Sequence, residues 1–138
     1  MYEEVYSKWE NRILTDGSRQ NERMGCGFAH YQDGFQIDFK VFKLSDASLV
    51  FMAEMTSIRE TVEYVIESGL GPTQIISDSR SSLMALASTY EKRSFINEIK
   101  RKIKFHKHKI GLCWMKALKA YTGNKRADLS LPLYPCRS

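Results

Sequence analysis

The stretch Gln74-Ile75-Ile76-Ser77-Asp78-Ser79 is a short apolar run that ends in a carboxylate. It follows the turn signal Gly71-Pro72, and a short apolar run bounded in this way favours a buried strand. Apolar residues at helical spacing lie on both sides, from Met55 to Ile66 before it and from Leu83 to Ala87 after it. A strand flanked by helices in this order predicts parallel pairing within an α/β sheet.

The N-terminal part of the chain has the pattern of an antiparallel meander. A first strand begins at Ile13-Leu14, and a second runs from Met24 to Tyr31 before the turn signal Asp33-Gly34. A third strand is indicated by alternating apolar residues, namely Ile37, Phe39 and Val41. The alternation changes phase at Phe42, which predicts a bulge or a strand end near Val41 and Phe42.

The C-terminal half adds an amphipathic helix from Phe95 to Ile103 and a strand from Ile110 to Met115. The predicted fold is therefore α/β, with a mixed five-stranded sheet of three antiparallel strands and then parallel strands, flanked by helices. We expect one domain over residues 1–138, with its core at about 10–129 and a divergent tail at 130–138. Trp114, at the end of the last strand, is expected to pack in the core, as large aromatic residues usually do, and the alternative is a stacking platform.

Composition indicates an ordinary globular domain, with 138 residues, 43% hydrophobic and 27% charged. No apolar run approaches the roughly 20 residues of a membrane span, and Met1 to Glu4 lacks the start of a signal peptide. We therefore expect an intracellular protein, cytoplasmic or nuclear, without membrane contact. The net charge of +5 is compatible with a polyanionic partner. The basic run Lys100 to Lys109 could lie along a phosphate backbone or form a solvated helix face.

Four carboxylates lie at the edges of predicted elements. Asp16 ends the first apolar run, Glu54 opens the first helix and Asp78 ends the buried strand, while Asp128 closes the segment from Thr122. Clustered carboxylates are the ligands that Mg²⁺ prefers, and two ions about 3.5–4 Å apart can hydrolyse a phosphodiester. The alternative is structural, because an Asp before Gly often forms a turn and a Glu at a helix start interacts with the helix dipole.

Taken in order, the blocks around these carboxylates resemble the type 1 ribonuclease H family, and most closely the ribonuclease H domain of arthropod non-LTR retrotransposon polyproteins. The blocks are Thr15-Asp16-Gly17-Ser18, Ala53-Glu54, Ser77-Asp78-Ser79, and, after Trp114, Gly123-Asn124 with Ala127-Asp128. The resemblance implies the ribonuclease H fold and an endonuclease that hydrolyses the RNA strand of RNA-DNA hybrids. It also implies two Mg²⁺ ions, with Mn²⁺ as a substitute, and a monomer without a small-molecule cofactor.

The resemblance also assigns roles to residues. Asp16 and Asp78 would contact both ions or the shared ion, and Glu54 and Asp128 would complete the ligand shell. Contacts to the hybrid would come from four further positions, Gly17, Ser18, Asn21 and Asn124.

The sequence departs from the family pattern after the last strand. Leu118 stands where the family usually has a His, Lys125 replaces a common Glu, and Pro132 and Pro135 prevent a long last helix. A Leu cannot transfer a proton, so Leu118 predicts slowed turnover without loss of metal binding. The shortened last helix predicts that Asp128 is poorly held. They also leave open an inactive relic that binds hybrid or other nucleic acid without efficient cleavage. An integrase or transposase core is a third interpretation, and the early position of Glu54 argues against it.

Overall fold

The structure is a computed structural model that describes residues 9–20, 23–45 and 49–116. The side chains of residues 18–20 and 23 fall outside this description. The elements are β1 (Asn11–Gln20), β2 (Arg23–Gln32), β3 (Phe35–Lys43), α1 (Val50–Ser68), β4 (Thr73–Ser77), α2 (Arg80–Ala87), α3 (Ser94–Phe105) and β5 (Ile110–Trp114). Among these three helices, none combines the length and apolar character that crossing a bilayer requires.

The strands form one five-stranded sheet in the order β3-β2-β1-β4-β5. β1 pairs with β2 and β2 with β3 in antiparallel fashion, whereas β1 with β4 and β4 with β5 are parallel. The predicted mixed sheet of three antiparallel strands followed by parallel strands is confirmed. The chain leaves β1 toward β2 on one side and returns to β4 on the other, so the strand order switches between β1 and β4.

The hairpin between β2 and β3 turns at Asp33 and Gly34, as predicted, and both residues have positive φ. A bulge or a strand end was predicted near Val41 and Phe42, and the strand end is confirmed, because β3 ends at Lys43. The register shift lies elsewhere, between His30 and Tyr31 of β2, which pair with Asp38 and Gln36. Phe42 faces the helices, while Val41 faces away and is exposed. Val41 and Phe42 thus place apolar side chains on both faces of β3. This explains why the alternation in the sequence changes phase there, although the pairing with β2 continues.

Helix α1 begins earlier than the sequence suggests. It starts at Val50, so Glu54 lies in its second turn and does not open the helix as predicted. The helix ends as predicted at Gly69, which has φ of 64° and ψ of 34°. A glycine accepts this left-handed conformation without a steric penalty. The backbone N–H groups of Gly69 and Leu70 then donate to the carbonyls of Ile66 and Val65.

The main core lies between the sheet and the helices. Because successive side chains of a strand point to opposite faces, Ile13 and Ile75 face the helices while Leu14 and Ile76 face the other side. The buried residues of the helical side are Ile13, Phe28, Met55, Ile58, Val62, Val65, Ile75, Leu86, Ile96, Ile99 and Ile110. This core fixes α1 across β1, β2 and β4, and it thereby sets where Glu54 meets the strands.

A buried polar cluster lies under the C-terminal half of α1. His30 is only 1% exposed, and its Nε2 lies 2.7 Å from Asn11 Oδ1. Its Nδ1 lies 2.8 Å from the hydroxyl of Tyr64, which also lies 3.1 Å from Asp38 Oδ2. Burial lowers the pKa of His30, and burial together with the Asp38 hydrogen bond raises the pKa of Tyr64 to about 12. The cluster joins β1, β2, β3 and α1 by pairing donors with acceptors, including the Asp38 carboxylate.

Candidate active site

Two of the predicted ligands, Asp16 and Asp78, lie at the switch in strand order between β1 and β4. β1 pairs with β4 over Asn11 to Leu14, and its pairing with β2 continues through Asp16 opposite Gly27. Asp16 therefore lies inside β1, and the prediction that it ends a strand is wrong. Asp78 follows β4 directly. Both carboxylates thus lie just beyond the parallel pairing of β1 and β4, where ligands gather in open α/β sheets.

Gly17 allows α1 to contact β1. A Cβ at this position would lie 2.5 Å from both the carbonyl carbon of Ala53 and the backbone nitrogen of Glu54. The Gly17 N–H donates to Glu54 Oε1 at 3.1 Å. Because the α1 backbone lies directly against β1 at Gly17, Glu54 is held next to the residue that follows Asp16. This gives Gly17 a packing and positioning role, and its contact to nucleic acid stays a prediction.

A serine-rich turn holds Asp78 between β4 and α2. The Ser79 N–H donates to Ser77 Oγ at 3.0 Å, and Ser79 Oγ in turn accepts from the Ser82 N–H at 3.3 Å as the N-cap of α2. The Met115 N–H donates to the Ser77 carbonyl at 2.9 Å. The backbone on both sides of Asp78 is therefore fixed by hydrogen bonds, so its carboxylate is presented from a defined position.

Asp16, Glu54 and Asp78 form one cluster, in which a ligand atom of each lies within 4.8 Å of the other two. Glu54 is buried, Asp16 and Asp78 are half-buried, and the Oδ1 atom of Asp16 has almost no solvent access. Three hard oxygen donors in this arrangement fit a divalent cation such as Mg²⁺ or Mn²⁺, and they do not suit a metal that prefers sulfur or imidazole. Three of the four predicted ligands are thus brought together.

The structural explanations for these carboxylates do not fit. Asp16 and Gly17 lie within β1 and not in a turn, so Asp16 is not a turn former. Glu54 lies beyond the first turn of α1, which contains no acidic residue, so a helix-dipole role does not account for it. Both side chains nevertheless point to the same place. A site that gathers negative charge explains their positions better than local backbone geometry does.

A cysteine next to this cluster does not supply a nucleophile. Cys26 lies opposite Gly17 on β2 and is buried against Met24 and Ala53. Burial, with a further contribution from Glu60, raises the pKa of its thiol to about 11. The thiolate is the reactive form, so a thiol with this pKa is unreactive at neutral pH. Within the described residues, the chemistry of this site rests on its carboxylates.

Trp114 is not a core residue, so that prediction is wrong. Its side chain is 44% exposed at the end of β5, next to the end of β4. The indole N–H donates to the backbone carbonyl of Asp78 at 3.3 Å, and the guanidinium of Arg80 lies 5.8 Å from the ring centroid. Sequence reasoning missed this placement, because a Trp after an apolar strand gives no signal that distinguishes a core side chain from a site wall.

The other predicted positions are only partly described. Ser18 pairs with Gly25 through the strand backbone. Asn21, Asn124 and Asp128 lie outside the described residues, as do Leu118, Lys125 and the shortened last helix. In the basic run, Lys102 forms an ion pair with Glu63 and Lys100 donates to the Ser88 carbonyl. Part of that run is therefore used in packing α3, while Arg101, Lys104 and Lys107 are exposed.

Comparison with known proteins gives structural but not sequence matches. No family model matches the chain, and no curated protein matches it in sequence. The crystal structure of RNase H1 from the halophilic archaeon Halobacterium salinarum NRC-1 matches with a TM-score of 0.65 and 12% identity, over 88% of this chain and 96% of that chain. LC11-RNase H1 in complex with an RNA/DNA hybrid matches with a TM-score of 0.66 and 12% identity, over 79% of this chain and 87% of that chain.

A third match is to part of a larger polypeptide. The protease-reverse transcriptase of Prototype Foamy Virus matches with a TM-score of 0.64 and 16% identity, over 90% of this chain but only 20% of that chain. At these identities the comparisons bear on architecture. Together with the sheet order and the flanking helices, they show that the chain has the ribonuclease H fold.

Proposed function

We propose that this chain is a metal-dependent endonuclease that hydrolyses the RNA strand of RNA-DNA hybrids. The observation that carries the proposal is the convergence of Asp16, Glu54 and Asp78 to within 4.8 Å at the strand-order switch of a ribonuclease H fold. In support, one protein with this fold, LC11-RNase H1, was crystallised with an RNA/DNA hybrid. Because a fold alone does not determine function, the proposed reaction rests on the carboxylate cluster, and the fold supports only the proposed class of substrate.

The residues that would hold the ions are Asp16, Glu54 and Asp78, with Asp128 as the fourth ligand. We propose two ions, Mg²⁺ or Mn²⁺, which when bound supply the Lewis acidity that activates water and stabilises the leaving oxygen. The chain itself holds the ligands in place, through Gly17 for Glu54 and the serine turn for Asp78. Contacts to the hybrid from Gly17, Ser18, Asn21 and Asn124 belong to the same proposal.

We further propose a retroelement origin, in a lineage like that of the arthropod non-LTR retrotransposons. The match to one fifth of a viral protease-reverse transcriptase supports it, because that protein carries this fold as one part of a longer chain. The proposal also includes a single domain that works as a monomer without a small-molecule cofactor, in the cytoplasm or nucleus. The compartment follows from the proposed substrate, and the other statements follow from the family resemblance.

The test is cleavage of a labelled RNA-DNA hybrid in Mg²⁺ and in Mn²⁺, beside matched double-stranded RNA and double-stranded DNA. We expect hybrid-specific cutting that is lost in Asp78→Asn and in Glu54→Gln. The amide oxygen introduced by Glu54→Gln can still accept from the Gly17 N–H, so this variant removes charge while keeping the contact. Glu67→Gln, at an exposed position on the same helix, is the matched control and should cut normally. Equal cutting by Glu54→Gln and Glu67→Gln would contradict the proposal.

A second candidate is a relic that binds hybrid without efficient cleavage. Leu118, at the position where the family usually has a His, favours it, because general acid-base assistance is typically worth about 10²- to 10⁴-fold. Tight hybrid binding without product in either metal would support the relic. Faster cutting by Leu118→His would instead show that the metal site is intact and that only proton transfer was weakened.

A further inference from the structure

We propose that the N-terminal segment from Tyr2 to Tyr6 docks in a groove between α2, α3 and β5, with its two glutamates against basic residues of α3. The groove has a volume of about 490 Å³. None of the residues that line it belongs to the carboxylate cluster or to the His30 cluster. The inference is independent of the proposed nuclease activity, because it concerns how the chain covers part of its own surface.

Apolar side chains from three elements form one part of the groove. They are Leu86 of α2, Ile103 of α3 and Leu112 of β5. Leu86 is only 7% exposed, and Ile103 and Leu112 are partly buried against the main core. An occupant of the groove would gain free energy by placing its own apolar side chains against these residues, because both surfaces would lose contact with water.

The charged part of the groove is basic and lies on one face of α3. It consists of Lys100, Arg101 and Lys104, and none of the described residues that line the groove is acidic. Arg101 and Lys104 are exposed and form no ion pair within the described part of the chain. Lys102, which belongs to the same helix but does not line the groove, is by contrast paired with Glu63. The groove therefore presents positive charge that an acidic occupant would balance.

The segment before β1 has the complementary chemistry. The stretch Tyr2-Glu3-Glu4-Val5-Tyr6 holds two adjacent carboxylates between aromatic and aliphatic side chains. It belongs to residues 1–8, which lie outside the described part of the chain. Residues 117–138, at the other end, include four Lys or Arg residues and one Asp, so their net charge has the same sign as the groove. The N-terminal segment is therefore the better electrostatic match.

The start of β1 lies close enough to the groove for this segment to reach it. Asn11 pairs with Thr73 of β4, and Thr73 pairs with Ile110 of β5. Adjacent strands are about 4.8 Å apart, so the start of β1 lies about 10 Å from the start of β5. Leu112, in the groove, is two residues further along β5. Glu4 precedes Asn11 by seven residues, which span up to about 23 Å when extended. The segment is thus long enough to cross from β1 to the groove.

Zero-length cross-linking of the full chain tests this contact without any substitution. A carbodiimide activates a carboxylate, an adjacent amine attacks it to form an amide, and the reagent leaves as a urea. Mass spectrometry then identifies the joined peptides. We expect amides that join Glu3 or Glu4 to Lys100 or Lys104. Lys43, exposed on β3 at the opposite edge of the sheet, is the control amine. The inference is overturned if no amide to α3 forms, or if amides to Lys43 are equally frequent.

An exchange of charge tests the same contact through stability. Adding Glu3→Lys and Glu4→Lys to the parent chain places like charges together, so we expect the Tm to fall. Adding the same two changes to a chain that carries Arg101→Glu and Lys104→Glu places opposite charges together again, so the Tm should rise. Because exposed ion pairs contribute little individually, each shift should be about 2–5 °C. A fall in both backgrounds would contradict the contact.

The matched control for the exchange is a chain with Lys92→Glu and Lys107→Glu, at two exposed positions that do not line the groove. Its net charge equals that of the chain with the altered groove. Adding Glu3→Lys and Glu4→Lys to this control should not raise its Tm. An equal rise in the control would attribute the effect to net charge and overturn the inference.

A nucleic acid is the other occupant that the basic residues of the groove could hold. Binding of a labelled RNA-DNA hybrid, followed by anisotropy, distinguishes the two. If no amide to α3 forms, and Arg101→Glu with Lys104→Glu binds hybrid about 10-fold more weakly than the control chain does, the groove belongs to the nucleic-acid surface and the inference fails. Amides from Glu3 or Glu4 to α3, with the same hybrid affinity in both chains, are the expected result.

Discussion

Helix α1 contacts two polar clusters, one made of groups with like charge and one made of paired donors and acceptors. Near its start, Glu54 meets Asp16 and Asp78, so three acceptors that carry the same charge converge. Near its end, Tyr64 meets His30, where oxygen and nitrogen atoms of complementary kind lie 2.7–2.8 Å apart. The second arrangement satisfies buried polar groups within the protein, as stable interiors require. The first gathers like charges, and under the proposed function a divalent cation would balance them.

Asp78→Asn should have the largest effect on the carboxylate cluster. The change keeps the shape of the side chain and removes one charge and one strong metal ligand. Because metal stabilisation of a transition state is worth several kcal/mol, we expect hybrid cleavage to fall about 10²- to 10³-fold or more. The measurement is the single-turnover cleavage rate in saturating Mg²⁺. A rate within a factor of about three of the parent would mean that this carboxylate is not a ligand.

Metal addition should sharpen the contrast between the clusters. A ligand at 100 times its Kd stabilises the folded state by about 2.7 kcal/mol, so Mn²⁺ should raise the Tm of the parent chain. Glu54→Gln should gain much less from Mn²⁺. In chelator it should be as stable as the parent or more so, because one of three repelling charges is gone. Thermal unfolding with and without Mn²⁺ measures both effects, and equal metal stabilisation of the two chains would contradict the cation-site interpretation.

Much of this fold could be predicted from sequence, because the periodic segments specify their own elements. The buried strand at Ile75-Ile76 and the helix ending at Gly69 follow from local apolar pattern and turn chemistry. The second half of β1 could not be predicted in this way. Thr15 to Gln20 is polar or small, and pairing with β2 makes it a strand. Tertiary context overrides local propensity at such positions.

The candidate site also contains features that the sequence predicts and features that it does not. Asp16, Glu54 and Asp78 carry short contexts that a family resemblance can bring together from the order of residues alone. The positions of Gly17 against Ala53 and of Trp114 against Asp78 depend on how two elements meet in space. The His30 cluster draws on residues that are 19 and 34 positions away, so no short motif could reveal it.

Gly17→Ala should disturb both fold and site, since the added methyl group would meet the α1 backbone at 2.5 Å. The helix must move, and overpacking of this kind typically costs about 1–3 kcal/mol. Cleavage should fall as well, because Glu54 moves with the helix. Gly25→Ala is the matched control, as its methyl group would lie 3.3 Å from the Phe42 carbonyl oxygen and needs only a small adjustment. Urea unfolding measures the free energy of unfolding of both variants. Equal losses of stability in the two would contradict a special role for the contact at Gly17.

His30→Leu should break the structural cluster without affecting the metal site. The change removes the ring that links Asn11 to Tyr64, and an unsatisfied buried polar group costs about 1–3 kcal/mol. We expect lower stability in urea and an unchanged Mn²⁺ affinity. His108→Leu, at an exposed position, should leave both quantities as they are. A loss of Mn²⁺ affinity in His30→Leu would show that the two clusters are energetically coupled through α1.

The smallest effect should be the pH dependence of the His30 cluster. Burial lowers the pKa of His30 below its ordinary value of 6.5, and the charge of Asp38 only partly opposes this. The unfolded chain therefore takes up a proton at His30 first as the pH falls. The contribution of neutral His30 to stability is fully present above pH 6.5, and it is lost as the pH falls from 6.5 toward the lower pKa of the folded state.

The slope from this one group cannot exceed about 1.4 kcal/mol per pH unit. Comparing the free energy of unfolding of the parent and of His30→Leu between about pH 7 and pH 5 isolates it, because the other titrating groups are common to both chains. The parent should lose stability faster than the variant below pH 6.5. Parallel curves would mean that His30 is as easily protonated in the folded state as in the unfolded one. The buried His30 ring would then be charged as readily as an exposed one, and burial in this network would not favour its neutral form.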